Sequence, residues 1–165
     1  NTIALLLLAF VAGSHSLSQA PLCDDELYSE HLAQAVDAAI TALVSTPGWL
    51  LDLKVRNNYT HALDIFACTP DPDKWDFPPP DKAQGLLKSV LEKGELRVAG
   101  VEWTLPGAAD YRTNPENPTG FWPEYLTAIV DKMSEVYGKD IQLTRKYYTS
   151  SDLVIDAVSK GVEVD

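Results

Sequence analysis

The chain has 165 residues, of which 45% are hydrophobic and 22% charged, and its formal net charge is −11 at pH 7. This acidity argues against a nucleic acid or an anionic membrane surface as the partner, because both are bound through basic surfaces. The sequence carries no glycine-rich phosphate loop, no paired catalytic carboxylates and no Ser/His/Asp signature. We therefore predict no catalytic residue and no cofactor.

The amino-terminal segment resembles an export signal. Residues 3–12 form an uninterrupted apolar run that is followed by small residues. Such a run is shorter than the roughly 20 residues that a membrane span needs, and it is typical of a secretory signal peptide. We assign residues 1–18 to this signal; a buried apolar helix at the edge of the domain is the alternative. The sequence thus predicts an extracellular protein, or a periplasmic one in a bacterium.

Two cysteines, Cys23 and Cys68, bracket the next segment. In an oxidising compartment an even pair predicts a disulfide, whereas two unpaired buried thiols are the alternative. The cysteines and the three histidines lack the spacing of zinc ligands, so we predict no metal site. Asn58 begins an Asn-Tyr-Thr sequon, which predicts a glycoprotein if the source is eukaryotic.

Residues 19–68 are predicted to form a small helical extension. Residues 24–45 carry acidic side chains in the first turn and apolar ones at helical spacing, and Pro47-Gly48 ends the pattern. A second helical or irregular piece over residues 49–67 could pack back on the first. Either the extension covers the part of the chain that follows, or it is an independent functional domain.

Residues 69–82 are predicted to be a linker, because prolines alternate there with acidic residues and favour extended geometry. Trp75 and Phe77 could anchor this linker to a neighbouring element, or could form a recognition segment for an aromatic-lined groove. A short helix over residues 84–93 follows, and Gly94 turns the chain into a strand.

Residues 95–165 alternate short apolar runs with helix-period segments, which predicts consecutive β-α-β units and a parallel sheet. Pro123 fits the first turn of the first of these helices, and Gly138 fits the position just after its end. Ser150 or Ser151 is a candidate N-cap for the second helix. The apolar stripe predicted for the first helix consists of Leu126, Ile129, Met133 and Val136.

The order of these segments resembles the first lobe of the family 3 extracellular solute-binding proteins. The resemblance rests on KGELRV, a loop with WTLP, TGF before the helix EYLTAIVDKM, and the closing segment SSDLVIDAVSKGVEVD. It implies an α/β fold, namely a parallel β-α-β-α-β lobe of the type 2 periplasmic-binding-protein-like class over residues 83–165, with the helical amino-terminal extension in front. In amino-acid-binding members, the Thr and Arg that hold the ligand carboxylate lie beyond the equivalent of Asp165, as does the second lobe.

In open α/β sheets the ligand crevice lies outside the carboxyl ends of the strands. Glu102 and Trp103 follow the first predicted strand there, and Thr149 and Ser150 follow the second. Trp103 could stack on a ligand or fill the core; the hydroxyls could bond a polar ligand group or cap the helix. The long loop 103–119 carries further polar side chains, which could contact a ligand or be ordinary solvated charges: Asp110, Arg112 and Glu116.

The resemblance implies a secreted module whose two lobes close on a small molecule, such as an amino acid, without chemistry. A membrane receptor or transporter could be its partner. One alternative is an enzyme on the same scaffold, such as a cyclic-acid dehydratase, in which Glu102 would be the one acid at the carboxyl end of a strand. A second alternative is the ligand-binding part of a receptor or channel, which would require transmembrane helices after the second lobe.

Overall fold

The computed structural model describes residues 29–60 and 76–160. The predicted signal peptide, the proposed Cys23–Cys68 disulfide, Trp75 and the third predicted strand lie outside these residues. No helix in these two ranges is long and apolar enough to cross a membrane.

Five helices and four strands follow one another in the described part of the chain. The helices are α1 (Glu30–Ser45), α2 (Trp49–Arg56), α3 (Gly85–Lys93), α4 (Phe121–Tyr137) and α5 (Ser151–Lys160), with a short 3₁₀ turn at Pro80–Lys82. The strands are β1 (Glu95–Val101), β2 (Thr104–Leu105), β3 (Ala109–Asp110) and β4 (Gln142–Tyr148). The helices predicted over residues 24–45 and 84–93 and between β1 and β4 are confirmed in their described parts, and the piece predicted over residues 49–67 is helical from Trp49 to Arg56. Residues 24–28 and 61–67 lie outside the described ranges.

The sheet that positions the site consists of β1 and β4, which pair in parallel from Glu95 and Gln142 to Val101 and Tyr148. Helix α4 connects them, because parallel strands need a crossover. Helix α5 packs on both strands. The predicted mixed α/β architecture with a parallel sheet is therefore confirmed.

The buried ridge of α4 differs from the predicted stripe. Ile129 and Met133 are buried as expected, but Val136 is 44% exposed. The aliphatic pattern missed the aromatic side chains of this ridge, whose members recur every four residues and face α1, α2 and the linker. The side chains of this ridge are Phe121, Tyr125, Ile129, Met133 and Tyr137.

Helices α1 and α2 share one hydrophobic core with α4. The ring of Tyr59, just after α2, stacks on Phe121 with centroids 4.4 Å apart. Arg56 Nε lies 2.7 Å from Glu124 Oε2 on the surface above this contact. The described part of the extension thus covers the helix of the β-α-β unit.

Phe77 fastens the end of the proline-rich segment to the same core. Its ring meets Tyr137 edge-on with centroids 5.8 Å apart. The Tyr137 hydroxyl donates a hydrogen bond to the carbonyl of Pro78 at 3.2 Å. The anchoring role predicted for Phe77 is therefore confirmed.

Candidate functional site

The carboxyl ends of β1 and β4 meet at one edge of the sheet, because the strands are parallel and in register up to Val101 and Tyr148. Immediately beyond them, the Glu102 N–H donates to the carbonyl of Tyr148 at 2.7 Å. Glu102 and Trp103 leave from the end of β1, and Thr149 and Ser150 leave from the end of β4. The fold thus brings two strand ends together at this edge, and the segments that leave these ends carry all four predicted site residues.

Trp103 lies outside the hydrophobic core that the described residues form. It is partly exposed, and its ring centroid lies 6.2 Å from that of Tyr111. The Tyr111 N–H also donates to the Trp103 carbonyl at 3.3 Å, which ties the two residues together. Within the described part of the chain, Trp103 therefore packs with Tyr111 and not in the core.

Tyr111 and Tyr147 continue this aromatic cluster, although neither was among the predicted ligand contacts. Their ring centroids lie 4.6 Å apart. Tyr147 pairs across the sheet with Gly100, and a Cβ at Gly100 would come within 3.1 Å of the Tyr147 ring. The ring of Tyr147 therefore lies directly over the backbone of β1.

Burial keeps both phenols protonated. It raises the pKa of Tyr111 to about 12 and also raises the pKa of Tyr147, although the nearby Arg145 charge opposes both shifts. A phenol with a raised pKa is a hydrogen-bond donor at neutral pH and a poor base. Both phenols are therefore protonated at neutral pH.

Arg145 lies on the same strand as Tyr147, two residues before it. Its Nη2 donates to Thr127 Oγ1 at 2.7 Å and to the Pro123 carbonyl at 3.4 Å, which fixes the guanidinium against the first turns of α4. Within the described part of the chain, Arg145 Nε and the Tyr147 hydroxyl are buried without a hydrogen-bond partner. Two polar atoms beside the cluster therefore retain hydrogen-bonding capacity.

The connection from Trp103 to Thr119 is more ordered than the loop we predicted. It contains the antiparallel pair β2–β3, and Asp110 forms a further bridge with Thr119. The Asp110 carboxylate accepts the Thr113 hydroxyl at 2.6 Å and the Thr113 N–H at 3.0 Å, as well as bonds from Thr104 and Arg112. These hydrogen bonds, with the Thr113 hydroxyl foremost, lower the pKa of Asp110. Asp110 therefore stabilises the turn that carries Tyr111.

The other predicted polar residues divide between capping and exposure. Ser150 Oγ accepts the N–H of Leu153 at 3.5 Å, so Ser150 is the N-cap of α5, although its own hydroxyl proton remains able to donate. Thr149 and Glu116 are exposed. Glu102 Oε1 lies 3.7 Å from Arg112 Nε, and both side chains are open to solvent. This edge therefore offers a carboxylate, a guanidinium and hydroxyl groups around the aromatic cluster.

Two further observations concern chemistry and modification. Across residues 29–60 and 76–160, no group of three His, Cys, Asp or Glu side chains is arranged to hold a metal ion. Asn58 is exposed just after α2, whereas the next residue of the sequon, Tyr59, is buried; glycosylation of Asn58 stays a prediction.

No protein-family model matches the chain, and no curated protein matches it. Among solved structures, the chain is similar to the crystal structure of the Plasmodium falciparum protein PfVFT1, with a TM-score of 0.65 and 20% sequence identity. The similarity covers 84% of this chain and 50% of the other, so the chain spans about half the length of that structure. At this identity the likeness shows a shared fold.

Proposed function

We propose that this chain is the first lobe of a secreted solute-binding module of the type 2 periplasmic-binding-protein-like class. It holds a small molecule, such as an amino acid, at the carboxyl edge of the β1–β4 sheet. The observation that carries the proposal is the convergence of the segments bearing Glu102, Trp103, Thr149 and Ser150 at that edge. The ordered motifs that resemble family 3 solute-binding proteins give the proposal its ligand class.

The surface of α5 supports a larger assembly of elements around this sheet. Leu153 is 47% exposed, Ile155 58% and Val158 37%. These side chains flank the face of α5 that packs on β1 and β4. The apolar surface of α5 is therefore wider than the part that the two strands cover. In the proposal, further strands and helices of the same protein pack against these flanks, and a second lobe completes the ligand site.

Each residue of the site has a physical role in this proposal. The Trp103 ring offers a flat apolar surface on which part of a ligand can stack. The ring of Tyr111 lies beside it with a protonated phenol, and the ring of Tyr147 packs against Tyr111. The amino terminus of α5, together with the Ser150 hydroxyl, favours a negatively charged group such as a carboxylate. A molecule with an apolar part and a carboxylate fits this arrangement.

Closure of the two lobes would then select the conformation that makes contacts on both sides of the ligand. The first lobe contributes a pre-ordered surface, because Asp110 holds the turn before Tyr111 and Tyr147 rests on Gly100. Affinity is therefore gained mainly from contacts that form on closure.

Thermal shift measurements test the proposal. The secreted chain, expressed with the sequence that follows Asp165 in its transcript, is screened against amino acids and other small metabolites. A saturable rise in melting temperature with ligand concentration, without turnover of the compound, is the expected result. Trp103→Ala should weaken the responding ligand about tenfold, in line with the loss of one aromatic stacking partner.

Leu51→Ala is the matched control, because Leu51 is 64% exposed on α2 and lies outside the proposed site. It should leave the ligand response unchanged. A folded protein that responds to no compound, or a ligand whose affinity is the same in wild type and Trp103→Ala, would contradict the proposed site. Conversion of the compound would instead favour an enzyme.

A further inference from the structure

The outer edge of β4 presents backbone groups that pair with no strand in the described part of the chain. Within residues 29–60 and 76–160, β4 pairs with β1 alone. The Gln142 N–H donates to the Gly94 carbonyl at 2.8 Å, and the Tyr148 carbonyl accepts the Glu102 N–H at 2.7 Å. Since the backbone groups of a strand alternate in direction, the even-numbered residues of β4 face β1. Leu143, Arg145 and Tyr147 therefore point their N–H and C=O groups away from the sheet.

A groove runs beside this edge, between β4 and α4, with a volume of about 330 Å³. Val130, Ile141 and Leu143 supply its apolar part, and Thr127 and Ser134 line it from α4. The Ser134 hydroxyl accepts the Ile141 N–H at 3.2 Å, so the groove is fixed where the chain enters β4. An edge strand beside a partly polar groove is the geometry to which an extended peptide adds.

The charges in the groove are unevenly distributed. Asp131 and Asp140 line it towards the start of β4, and both are exposed. Asp131 takes part in no salt bridge within the described part of the chain, and Asp140 accepts a hydrogen bond from the Gln142 side chain at 2.8 Å. At the other end, Arg145 is held by Thr127 and Pro123. A positively charged side chain is therefore favoured at the end that carries the two carboxylates.

We propose that the outer edge of β4 and this groove bind an extended peptide segment with lysine or arginine at alternate positions. The peptide adds as a strand beside Leu143, Arg145 and Tyr147. Successive side chains of a strand point to opposite faces, so every second residue enters the groove near Asp131 and Asp140. The remaining residues lie on the opposite face, outside the groove. This surface meets the carboxyl edge of the sheet at Tyr147, but the proposal rests on the side edge of β4 and does not depend on the proposed function.

Fluorescence anisotropy tests this site with a defined probe. The probe is a fluorescein-labelled heptapeptide of alternating threonine and lysine, and it is titrated with the full chain at low salt. Two further peptides carry N-methyl groups, one on the lysine amides and one on the threonine amides. Because only alternate residues of an added strand bond to β4, methylation of one set should abolish binding and methylation of the other should change it less than about twofold.

The side-chain contribution is tested by charge-matched variants. Asp131→Asn and Asp140→Asn should each weaken the lysine peptide about two- to fivefold, as for single surface charge pairs. Asp152→Asn, which makes the same charge change on α5, should leave the affinity unchanged. The glutamate version of the peptide should not bind.

Several results would overturn the proposal. These are the absence of saturable binding, an equal effect of both methylation patterns, and a loss in Asp152→Asn as large as in Asp131→Asn, which would reduce the effect to net charge. Sedimentation that shows a dimer of the chain, together with peptide binding that is lost as the dimer forms, would assign the edge to a second copy instead.

Discussion

Gly120 is the position where one added methyl group should damage the fold most. It precedes α4 with φ 114° and ψ 174°, a region of backbone conformation that is essentially restricted to glycine. A Cβ there would lie 2.8 Å from the Ala108 carbonyl oxygen and 2.8 Å from the Ala109 Cα. Both are backbone atoms, so no side-chain rotation relieves the contact.

We expect Gly120→Ala to lower the free energy of unfolding by about 4 kcal/mol, from backbone strain of about 1–3 kcal/mol and overpacking of similar size. For a chain of this length, that loss corresponds to a fall in melting temperature of about 8–16 °C. Gly138→Ala is the control at the opposite end of α4. Gly138 has φ 60°, and no atom lies within 4 Å of where a Cβ would be. Its replacement by alanine therefore costs only the strain of the left-handed conformation, about 1–2 kcal/mol.

Urea unfolding followed by tryptophan fluorescence measures both variants, since the chain has four tryptophans. The decisive quantity is the difference between the two losses, which should be about 2 kcal/mol or more. If Gly120→Ala costs no more than Gly138→Ala, the close contact between the β2–β3 hairpin and the start of α4 is not a feature of the native state.

Three further predictions concern single side chains. Tyr147→Phe should change the free energy of unfolding by less than about 1 kcal/mol in urea titrations, because the hydroxyl it removes is buried without a hydrogen-bond partner in the described part of the chain. A larger loss would show that this hydroxyl has a hydrogen-bond partner. Arg56→Ala should cost less than about 1 kcal/mol, and less still in high salt, because the Arg56 and Glu124 side chains are 58% and 38% exposed. Burial raises the pKa of Tyr111 to about 12 from its ordinary value near 10, so its contribution to stability is complete below about pH 10 and is lost as the pH rises to about 12. The fall in the free energy of unfolding between pH 9 and pH 11 should be smaller for Tyr111→Phe than for the wild type.

The helices around the sheet could be predicted because their ends are marked by local signals. Pro123 lies in the first turn of α4, and Gly138 follows its last residue in the left-handed conformation. Gly94 ends α3 in the same way. These signals act through the conformation of one or two residues, so they need no knowledge of what the helix packs against.

The hairpin after β1 could not be predicted from such signals. Each of its strands has two residues, which is too short for an alternating pattern to be visible. Its position depends on distant contacts: a Cβ at Gly107 would lie 2.8 Å from the Asn58 carbonyl oxygen, so the end of α2 supports the turn. The sequence gives no register for a contact between segments this far apart.

The candidate site likewise contains residues that local signals predict and residues that depend on distant contacts. Glu102, Trp103, Thr149 and Ser150 could be predicted because they depend only on where strands end, and parallel strands end at the same edge. Tyr147 depends on the register between β1 and β4, because a slip of one residue would turn its ring to the opposite face.

One signal for that register is nevertheless in the sequence. A glycine inside a strand often marks a close approach of another group to the backbone. Gly100 lies inside β1, and the group that approaches it is the Tyr147 ring, within 3.1 Å of where a Cβ would be. Of the odd-numbered residues of β4, Tyr147 is the one with a flat side chain large enough to cover a glycine at the carboxyl end. Pairing that ring with Gly100 sets the register found in the structure, and it places the phenol against Tyr111 at the edge where the ligand is proposed to bind.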